Sequence, residues 1–360
     1  MNVFVADPDW GWWIIGYFFL GGIAAGAYFM ATLIDLVGRR GQDEEISRIG
    51  FRIAFPLIVV CAVFLTLDLK KPDRFWHMLF KSEVVEKAWE TRSWGDLVHA
   101  PLFKYWSPMS IGSWALTIFG LCSFVSFLGS FRSRHETTGI LHRCFQIIGC
   151  TVGFFVAAYT GALLTATNQL AWSDTPWVAP LFLASAASTG IAVMLLLAGP
   201  SVSESSLARL ERADAWALGL EFLVFLIFLE SLGGLLLPVW QTVSGKILIA
   251  GTLILGLVVP LLIHLGGGLH RKSGLVVGSV SVLIGGFMLR YGIVNTAPEL
   301  LAKSSPELVE MTEPHPAVGG IAFPWRFGPE EGRVPGQSLG ADPGNKVGPI
   351  EPRSKVFKGE

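Results

Sequence analysis

Ionisable side chains occur inside long apolar runs of this sequence. Arg290 lies in the middle of the run Leu275–Val294, which is long enough to cross a bilayer. An arginine stays charged there, so it requires a carboxylate, a carbonyl, water or a bound polar ligand as a partner. Glu221, Glu230 and His264 lie in neighbouring apolar runs. Because such groups commonly mark ion and proton pathways in membranes, the sequence predicts polar chemistry at membrane depth.

The elements that must position these groups are membrane-spanning helices. Hydrophobic residues make up 52% of the chain and charged residues only 15%, which indicates an integral membrane protein. Runs of about 18 or more mostly apolar residues predict spanning α-helices, because in lipid the backbone must satisfy its own hydrogen bonds. Eight spans are predicted: Trp12–Val37, Ile49–Leu69, Met109–Phe131, Cys144–Ala166, Trp177–Ala198, Ala213–Pro238, Lys246–Leu265 and Gly274–Asn295. The predicted fold class is an all-α integral membrane bundle formed by residues 1–297, followed by a tail of residues 298–360.

The distribution of basic residues predicts the orientation of the bundle. The loops opposite the chain termini are short and rich in arginine, whereas the loops around residues 168–176 and 238–245 contain no lysine or arginine. The positive-inside rule then places both termini on the periplasmic side of a bacterial inner membrane. The loop Lys70–Ser107 departs from this pattern, with seven basic and five acidic residues.

This long loop and the tail are the two candidate partner-binding segments. Phe75, Trp76, Leu79 and Phe80 recur at helical spacing, which predicts a helix lying at the membrane interface. The loop could also form a docking platform. The segment from Pro298 onward holds ten of the twenty prolines in the chain and lacks helical periodicity. It is interpreted either as disordered or as an extended strap laid over a partner subunit.

The predicted helix directions set the depth of the ionisable groups. Glu230 and Arg290 are predicted in the outer half, where they could form an ion pair. Glu221 and His264 are predicted nearer the cytoplasmic half, together with Asp35. The hypothesis is a proton path through all five residues, because membrane carboxylates and histidines commonly serve as relays. The alternative is a neutral, protonated glutamic acid beside an ion pair that only stabilises the fold.

Small and aromatic residues could together form a site for a flat ring. The first helix is rich in glycine, which permits either close helix contact or a slot for a ring or isoprenoid tail, with Trp13 and Tyr17 along its wall. Tyr159 and Asn168 are predicted in the outer half of the fourth helix, where a hydroxyl and an amide could hydrogen-bond a quinone carbonyl. The alternative is that these side chains belong to the interfacial aromatic belt.

Charged residues follow the second predicted helix. Asp68 is predicted at the outer interface, and Arg74 follows after Pro72. This pattern is typical of an ordinary helix end with interfacial charges. The functional hypothesis pairs Asp68 or Asp73 with arginines such as Arg74 around a proton exit or a head group.

Metal cofactors are not predicted within this chain. The cysteines fall in or beside predicted spans without forming a CxxC pair, and His264 is the one clear membrane histidine. Paired membrane histidines are needed for a bis-histidine haem, and clustered cysteines for an iron–sulfur cluster. The expectation is therefore a chain without haem, without an iron–sulfur cluster and without a metal site.

Six segments carry a resemblance to a known family. They are YFFLGGIAAGAYF, LDLKKPDRFW, SPMSIGSW, YTGALL, PLFLASAASTG and GGFMLRYGIV. In this order they resemble the NrfD/polysulfide reductase membrane-subunit family from about Trp10 to Asn295. The resemblance implies a haem-free subunit that binds a quinone, usually menaquinone. It also implies electron exchange with a ferredoxin-like iron–sulfur subunit, often connected to a molybdopterin catalytic subunit.

The resemblance also implies where the quinone binds. It places the site in the outer half, between the first helix and Tyr159, with Asp68, Arg74 and Arg290 at matching positions. Where the family often has Asn or His on the first helix, this sequence has Trp13 and neighbouring aromatic residues.

The predicted function is a quinone-reactive membrane anchor of a respiratory oxidoreductase. Asp68 and Tyr159 are the candidates for quinone-linked proton exchange, and turnover could translocate protons. The chain is not expected to be catalytic alone, and no nucleic-acid partner is expected. The alternative is a membrane transporter, or a purely structural anchor without quinone chemistry.

Overall fold

The computed structural model describes residues 10–38, 43–69, 71–91, 100–131, 139–167, 169–198, 202–266 and 272–303. Asn168 and residues 304–360 lie outside the described residues, and so do the predictions made for them. Within the described ranges the protein is helical, apart from turns and one isolated bridge between Phe80 and Pro101.

Long helices make up most of the described chain. They are α1 (Trp12–Val37), α2 (Glu44–Asp68), α4 (Pro108–Gly129), α5 (Ile140–Thr165), α6 (Val178–Leu197), α7 (Glu204–Ser231) and α11 (Lys272–Lys303). A further span, Val243–Leu265, consists of α9 (Val243–Lys246), a π-helical segment (Ile247–Val258) and α10 (Val259–Leu265). Shorter elements are a 3-10 helix (Pro72–Met78), α3 (Ser82–Thr91), a second 3-10 helix (Gly233–Leu235) and α8 (Leu236–Gln241).

Seven of the described helices are long and apolar enough to cross a membrane by themselves. The sixth predicted span, Ala213–Pro238, differs from the structure. Helix α7 ends at Ser231, and the chain then bends by 95° into the segment Gly233–Gln241. Gly233 supplies the turn with a φ of +51°, a value that a glycine adopts without a steric penalty. The count reaches eight only if this bent pair is one span.

Helix α1 lies at the centre of the bundle, packed against α2, α5, α6 and α11. The backbones of α1 and α6 approach each other closely at Gly26. A Cβ atom added to Gly26 would lie 1.8 Å from the carbonyl oxygen of Ala186, so only glycine permits this approach. The small residues of α1 therefore serve close helix packing at this position, as one of the two sequence interpretations expected.

The end of the bundle that holds Trp12 is called the Trp12 end, and the end that holds Glu44 is called the Glu44 end. At the Trp12 end, Trp172 is 1% exposed and its indole nitrogen donates a 2.7 Å hydrogen bond to the carbonyl of Ile293. The ring also stacks on Trp10 with centroids 5.2 Å apart. The connection between α5 and α6 is therefore packed into the bundle.

Two sequence boundaries shift in the structure. The helical spacing from Phe75 to Phe80 is realised as a 3-10 helix that ends at Met78, rather than as an interfacial helix extending to Phe80. Helix α11 continues through Pro298 to Lys303, so it passes the boundary predicted after residue 297.

Candidate functional site

Arg290 lies at the centre of the bundle and is 1% exposed. Its Nε donates a 3.0 Å hydrogen bond to the carbonyl of Phe18 on α1. Its Nη1 donates to the Ser185 hydroxyl at 3.1 Å and to the Gly286 carbonyl at 2.8 Å. The guanidinium also lies 5.3 Å from the ring centroid of Phe182. These contacts supply the partners that a buried cation requires, and they join α1, α6 and α11 at one point.

Glu221 on α7 is the acidic residue that interacts with Arg290. It is 3% exposed, and the Ser188 hydroxyl donates a 2.5 Å hydrogen bond to its Oε2. Its carboxylate also hydrogen-bonds the Ser185 hydroxyl and interacts electrostatically with Arg290. Ser185 therefore contacts both the guanidinium and the carboxyl group, and the three side chains form a buried polar cluster.

The predicted ion pair between Glu230 and Arg290 is not present. Glu230 is exposed. It follows Glu221 by nine residues on α7, which corresponds to a rotation of about 180° around the helix axis. The two glutamates therefore lie on opposite faces, and Glu221 is the one directed toward Arg290.

His264 has a different carboxylate partner from those predicted. Its Nε2 lies 3.0 Å from Oδ2 of Asp214 on α7. Asp214 is 2% exposed, and its Oδ1 has no hydrogen-bond partner in the structure. Asp35 on α1 is partly exposed and forms no ion pair within the described ranges.

Sequence analysis missed Asp214 because it placed the start of the sixth span at Ala213. The helix instead begins at Glu204, so Asp214 is ten residues inside it. The spacing of seven residues between Asp214 and Glu221 could have revealed it, since residues seven apart lie on one face of a helix.

A second group of residues meets near the Trp12 end, between α1, α2, α4 and α5. Tyr17 on α1 is 6% exposed, and the Cys61 sulfur on α2 donates to its carbonyl at 3.8 Å. The Tyr159 hydroxyl on α5 donates a 2.5 Å hydrogen bond to the carbonyl of Pro108 on α4. The Tyr17 and Tyr159 phenol groups lie close enough to interact electrostatically.

Glycine makes room for Tyr159 in this arrangement. A Cβ atom added to Gly112 on α4 would lie 2.4 Å from the Tyr159 hydroxyl oxygen. The Tyr159 ring is stacked on Phe155 with centroids 5.5 Å apart. The phenol is therefore held in one orientation by a backbone carbonyl, a neighbouring ring and the absence of a side chain at residue 112.

Trp13 is joined to this group through α2. Its ring contacts Phe64 edge to face with centroids 5.3 Å apart, and 45% of the residue is exposed. The structure therefore brings three of the predicted quinone-site residues into one region, namely Trp13, Tyr17 and Tyr159.

The remaining predicted residues of this site lie at its margin. Asp68 is the last residue of α2 and is partly exposed. Arg74 is exposed in the 3-10 helix. No hydrogen bond or ion pair between described residues joins Arg74 to either tyrosine.

The donor set at the two tyrosines suits a ligand with hydroxyl and carbonyl oxygens. The Tyr159 hydroxyl donates its hydrogen to the Pro108 carbonyl, so its oxygen can accept a hydrogen bond from another group. The Tyr17 hydroxyl has no hydrogen-bond partner within the described part of the chain, so it can donate. Together they offer one acceptor and one donor to a quinol or quinone.

Comparison with known proteins gives matches over most of the chain. The profile of the family described as polysulphide reductase, NrfD matches residues 6–301. The C component of polysulfide reductase from Wolinella succinogenes is 26% identical over 326 residues, covering 79% of this chain and 93% of that protein. Protein NrfD from Escherichia coli is 25% identical over 317 residues, with the same coverage of 79% and 93%. The C component of selenate reductase from Mesobacillus selenatarsenatis is 30% identical over 79 residues, which cover 22% of this chain and 18% of that protein.

Proposed function

This chain belongs to the polysulphide reductase NrfD family, and from that premise we propose that it is the quinone-reactive membrane subunit of a respiratory oxidoreductase. The observation that carries the proposal is the meeting of Tyr17 and Tyr159 beside Trp13, in a membrane-spanning bundle. A quinol bound there supplies two electrons and two protons when it is oxidised.

The two tyrosines position the ring. Tyr159 accepts a hydrogen bond from the ligand while its own hydroxyl hydrogen stays on Pro108. Tyr17 donates to the second oxygen of the ligand. Trp13 packs against the ring from the lipid side, because nearly half of it is exposed in the absence of a ligand. Hydrogen bonds at both ends of a planar molecule fix its orientation, which is the protein's part in cofactor chemistry.

Asp68 is proposed to take up protons released at this site. It ends α2 seven residues beyond Cys61, whose sulfur contacts the Tyr17 backbone. Seven residues of α-helix correspond to a rise of about 10 Å toward the Trp12 end. Asp68 therefore lies between the tyrosines and the surface of the bundle, where a carboxylate can pass a proton to water.

The electrons are proposed to leave to an iron–sulfur subunit docked at the Trp12 end. Exposed aromatic residues concentrate in the described part of that end, where Phe103, Tyr105 and Trp106 are each more than half exposed. Aromatic residues are enriched in protein–protein interfaces. Two relatives are each named as the C component of a reductase, one for polysulfide and one for selenate, which indicates that those proteins assemble with further subunits. The family resemblance implies a molybdopterin catalytic subunit beyond the iron–sulfur partner, and this subunit is part of the proposal.

The buried charges are proposed to serve proton movement through the bundle. Glu221 and His264, which the sequence hypothesis placed in a proton path, remain part of it. Arg290 interacts electrostatically with Glu221 and favours its charged form. Glu230 is on the exposed face of α7, so it is not included.

The test is menaquinol oxidation by the purified complex carrying single substitutions. Tyr159→Phe removes the accepting oxygen, Tyr17→Phe removes the donor, and Asp68→Asn removes the proton acceptor. Asp68→Asn is expected to lower kcat/KM for menaquinol by about 100-fold or more, because positioned proton-transfer groups contribute about 10²–10⁴-fold. Each tyrosine variant is expected to lower it by about tenfold, because one hydrogen bond contributes up to about 1.5 kcal/mol. Trp216→Phe is the control, because Trp216 is 82% exposed on α7 and lies outside the proposed quinone site and the proposed docking surface.

Wild-type rates in both tyrosine variants would reject the site. Iron–sulfur signals in electron paramagnetic resonance spectra of the purified assembly are expected to report reduction by menaquinol. An assembly that contains neither quinone nor a redox subunit after mild purification would instead support the structural-anchor alternative.

A further inference from the structure

The buried charges form two separate clusters along one face of α7. Asp214, Leu218 and Glu221 are spaced by four and three residues, and each is at most 3% exposed. Asp214 belongs to the cluster with His264, whereas Glu221 belongs to the cluster with Arg290. Seven residues of α-helix separate the carboxylate-bearing residues by about 10 Å. Direct proton transfer requires hydrogen-bond distances of about 3 Å, so no proton passes between these carboxylates without intervening water.

The space between the clusters is apolar. Leu218 is 0% exposed and belongs to one hydrophobic core cluster with Ala192 of α6, Leu257 of the π-helical segment and Val282 of α11. These residues are between 0% and 2% exposed. Leu218 and the apolar side chains that belong to this cluster with it are called the Leu218 layer. An apolar interior of this kind stays dry.

Polar atoms without partners lie on the Glu44 side of this layer. Oδ1 of Asp214 is buried and has no hydrogen-bond partner among the residues that the structure describes. The same is true of the buried Ser279 hydroxyl on α11. Ser279 is at the level of His264, because a Cβ atom added to the preceding Gly278 would lie 3.9 Å from Ile263. Buried polar atoms that lack protein partners are commonly satisfied by bound water.

We propose that the bundle contains a gated proton route with Asp214 and His264 as a water-filled loading site, Glu221 as the second site, and the Leu218 layer as the dry gate between them. The proposal rests on the function proposed above and adds its regulation. A proton from the Glu44 side binds to the Asp214–His264 pair. When water enters the Leu218 layer, the proton moves to the Glu221 carboxylate, which becomes neutral beside Arg290. Glu221 later releases the same proton toward the Trp12 end.

The gate has a direct consequence for proton leakage. With the Leu218 layer dry, the resting bundle does not conduct protons, although it contains ionisable groups on both sides of the layer. A polar side chain at residue 218 would hold water and connect the two clusters permanently. Leu218→Asn introduces such a side chain at a similar volume.

The experiment is passive proton uptake by liposomes that contain the full chain, driven by a potassium diffusion potential and followed with an internal pH-sensitive dye. Leu218→Asn is expected to raise the proton conductance at least about tenfold over the wild-type chain. Leu220→Asn is the matched control on the same helix, because Leu220 is 54% exposed, and it is expected to match the wild type. The double variant Leu218→Asn/Asp214→Asn is expected to return the conductance to the wild-type level, since the loading site is lost.

Equal conductance of the Leu218→Asn and Leu220→Asn chains would overturn the proposal. A conductance in the double variant as high as in Leu218→Asn would also overturn it, because the leak would then bypass Asp214. The assay needs neither quinol nor a redox partner. Unchanged menaquinol oxidation in the tyrosine variants, together with a raised conductance in Leu218→Asn, would reject the quinone site and support the gate. Impaired menaquinol oxidation in the tyrosine variants, together with an unchanged conductance in Leu218→Asn, would support the quinone site and reject the gate.

A measurement on the unaltered protein addresses the case in which Leu218→Asn does not assemble. Hydroxyl radicals generated from internal water by X-ray exposure modify the side chains nearest to that water. Modification is expected at His264 and not at Leu218. Modification of Leu218 at a rate similar to that of His264 would show a wet layer and reject the gate.

Discussion

Arg290 of α11 and Ser185 of α6 are joined by a 3.1 Å hydrogen bond at the centre of the helix bundle. The same serine hydroxyl hydrogen-bonds Glu221 of α7. Three helices thus meet through one serine, and a fourth is added by the hydrogen bond from Arg290 to the Phe18 carbonyl of α1. The bundle centre is therefore stabilised by polar contacts at a depth where water is scarce.

Loss of the buried cation is expected to destabilise the bundle. In Arg290→Gln, the Phe18 carbonyl, the Ser185 hydroxyl and the Gly286 carbonyl lose the hydrogen bonds donated by the guanidinium, and each hydrogen bond to a charged group contributes about 1.5–3 kcal/mol. The melting temperature of the purified chain in detergent is expected to fall clearly. Arg212→Gln is the control, because Arg212 is exposed on α7.

The double variant Arg290→Gln/Glu221→Gln separates charge from packing. If the two groups act as a pair, the second substitution recovers part of the lost stability, since no unpaired charge remains. An additive loss in the double variant would show that the two residues stabilise the fold independently.

Close packing around Arg290 predicts a second effect. A Cβ atom added to Gly22 on α1 would lie 2.5 Å from Nη2 of Arg290, so Gly22→Ala must displace the guanidinium. A fall in stability of about 1–3 kcal/mol is expected from overpacking. Gly219→Ala is the matched control, because nothing lies within 4 Å of that added Cβ, and alanine is the better helix former. Equal melting temperatures for the two variants would contradict the placement of Arg290.

The Trp12 end should depend on a single indole hydrogen bond. Trp172→Phe keeps a buried aromatic ring and removes the donor to the Ile293 carbonyl. A loss of about 1–3 kcal/mol is expected for an unsatisfied buried group, measured as a lower melting temperature. Trp216→Phe, at a residue 82% exposed, should stay within about 0.5 kcal/mol of the wild-type chain. A larger effect at residue 216 than at residue 172 would refute the assignment.

The apolar runs predicted most of the helices, because only a helix satisfies backbone groups in lipid without an adjacent partner. Arg290 was identified as buried for the same reason, since its charge stands out in an apolar run. The break at Gly233 was not predicted, because the run from Ala213 to Pro238 is mostly apolar on both sides of this glycine. Hydropathy indicates whether a segment lies in an apolar environment, but it does not show where the helix axis changes direction.

The sequence did not predict correctly which ionisable side chains contact each other between helices. Glu230 and Arg290 were matched because the predicted spans put them at similar depth, and rotation about the α7 axis was not considered. Asp214 was missed because its helix begins earlier than hydropathy alone suggests. The family resemblance drew attention to Tyr159, whereas the Pro108 carbonyl that orients its hydroxyl comes from the packing of α4 on α5. That packing depends on the glycine at residue 112, which no composition or periodicity argument singles out.

Gly112 therefore provides a test of the candidate quinone site that leaves every polar group in place. An added Cβ would lie 2.4 Å from the Tyr159 hydroxyl, so Gly112→Ala must move the phenol away from the Pro108 carbonyl. Displacing a positioning group by about 1 Å can cost up to about 100-fold in rate, so kcat/KM for menaquinol is expected to fall at least tenfold. Gly120→Ala on the same helix is the control, because its added Cβ meets only Ile58, at 3.6 Å, and its rate is expected to equal that of the wild type. Equal rates in the two glycine variants would show that the orientation of Tyr159 does not matter for quinol oxidation, and the site would have to lie elsewhere in the bundle.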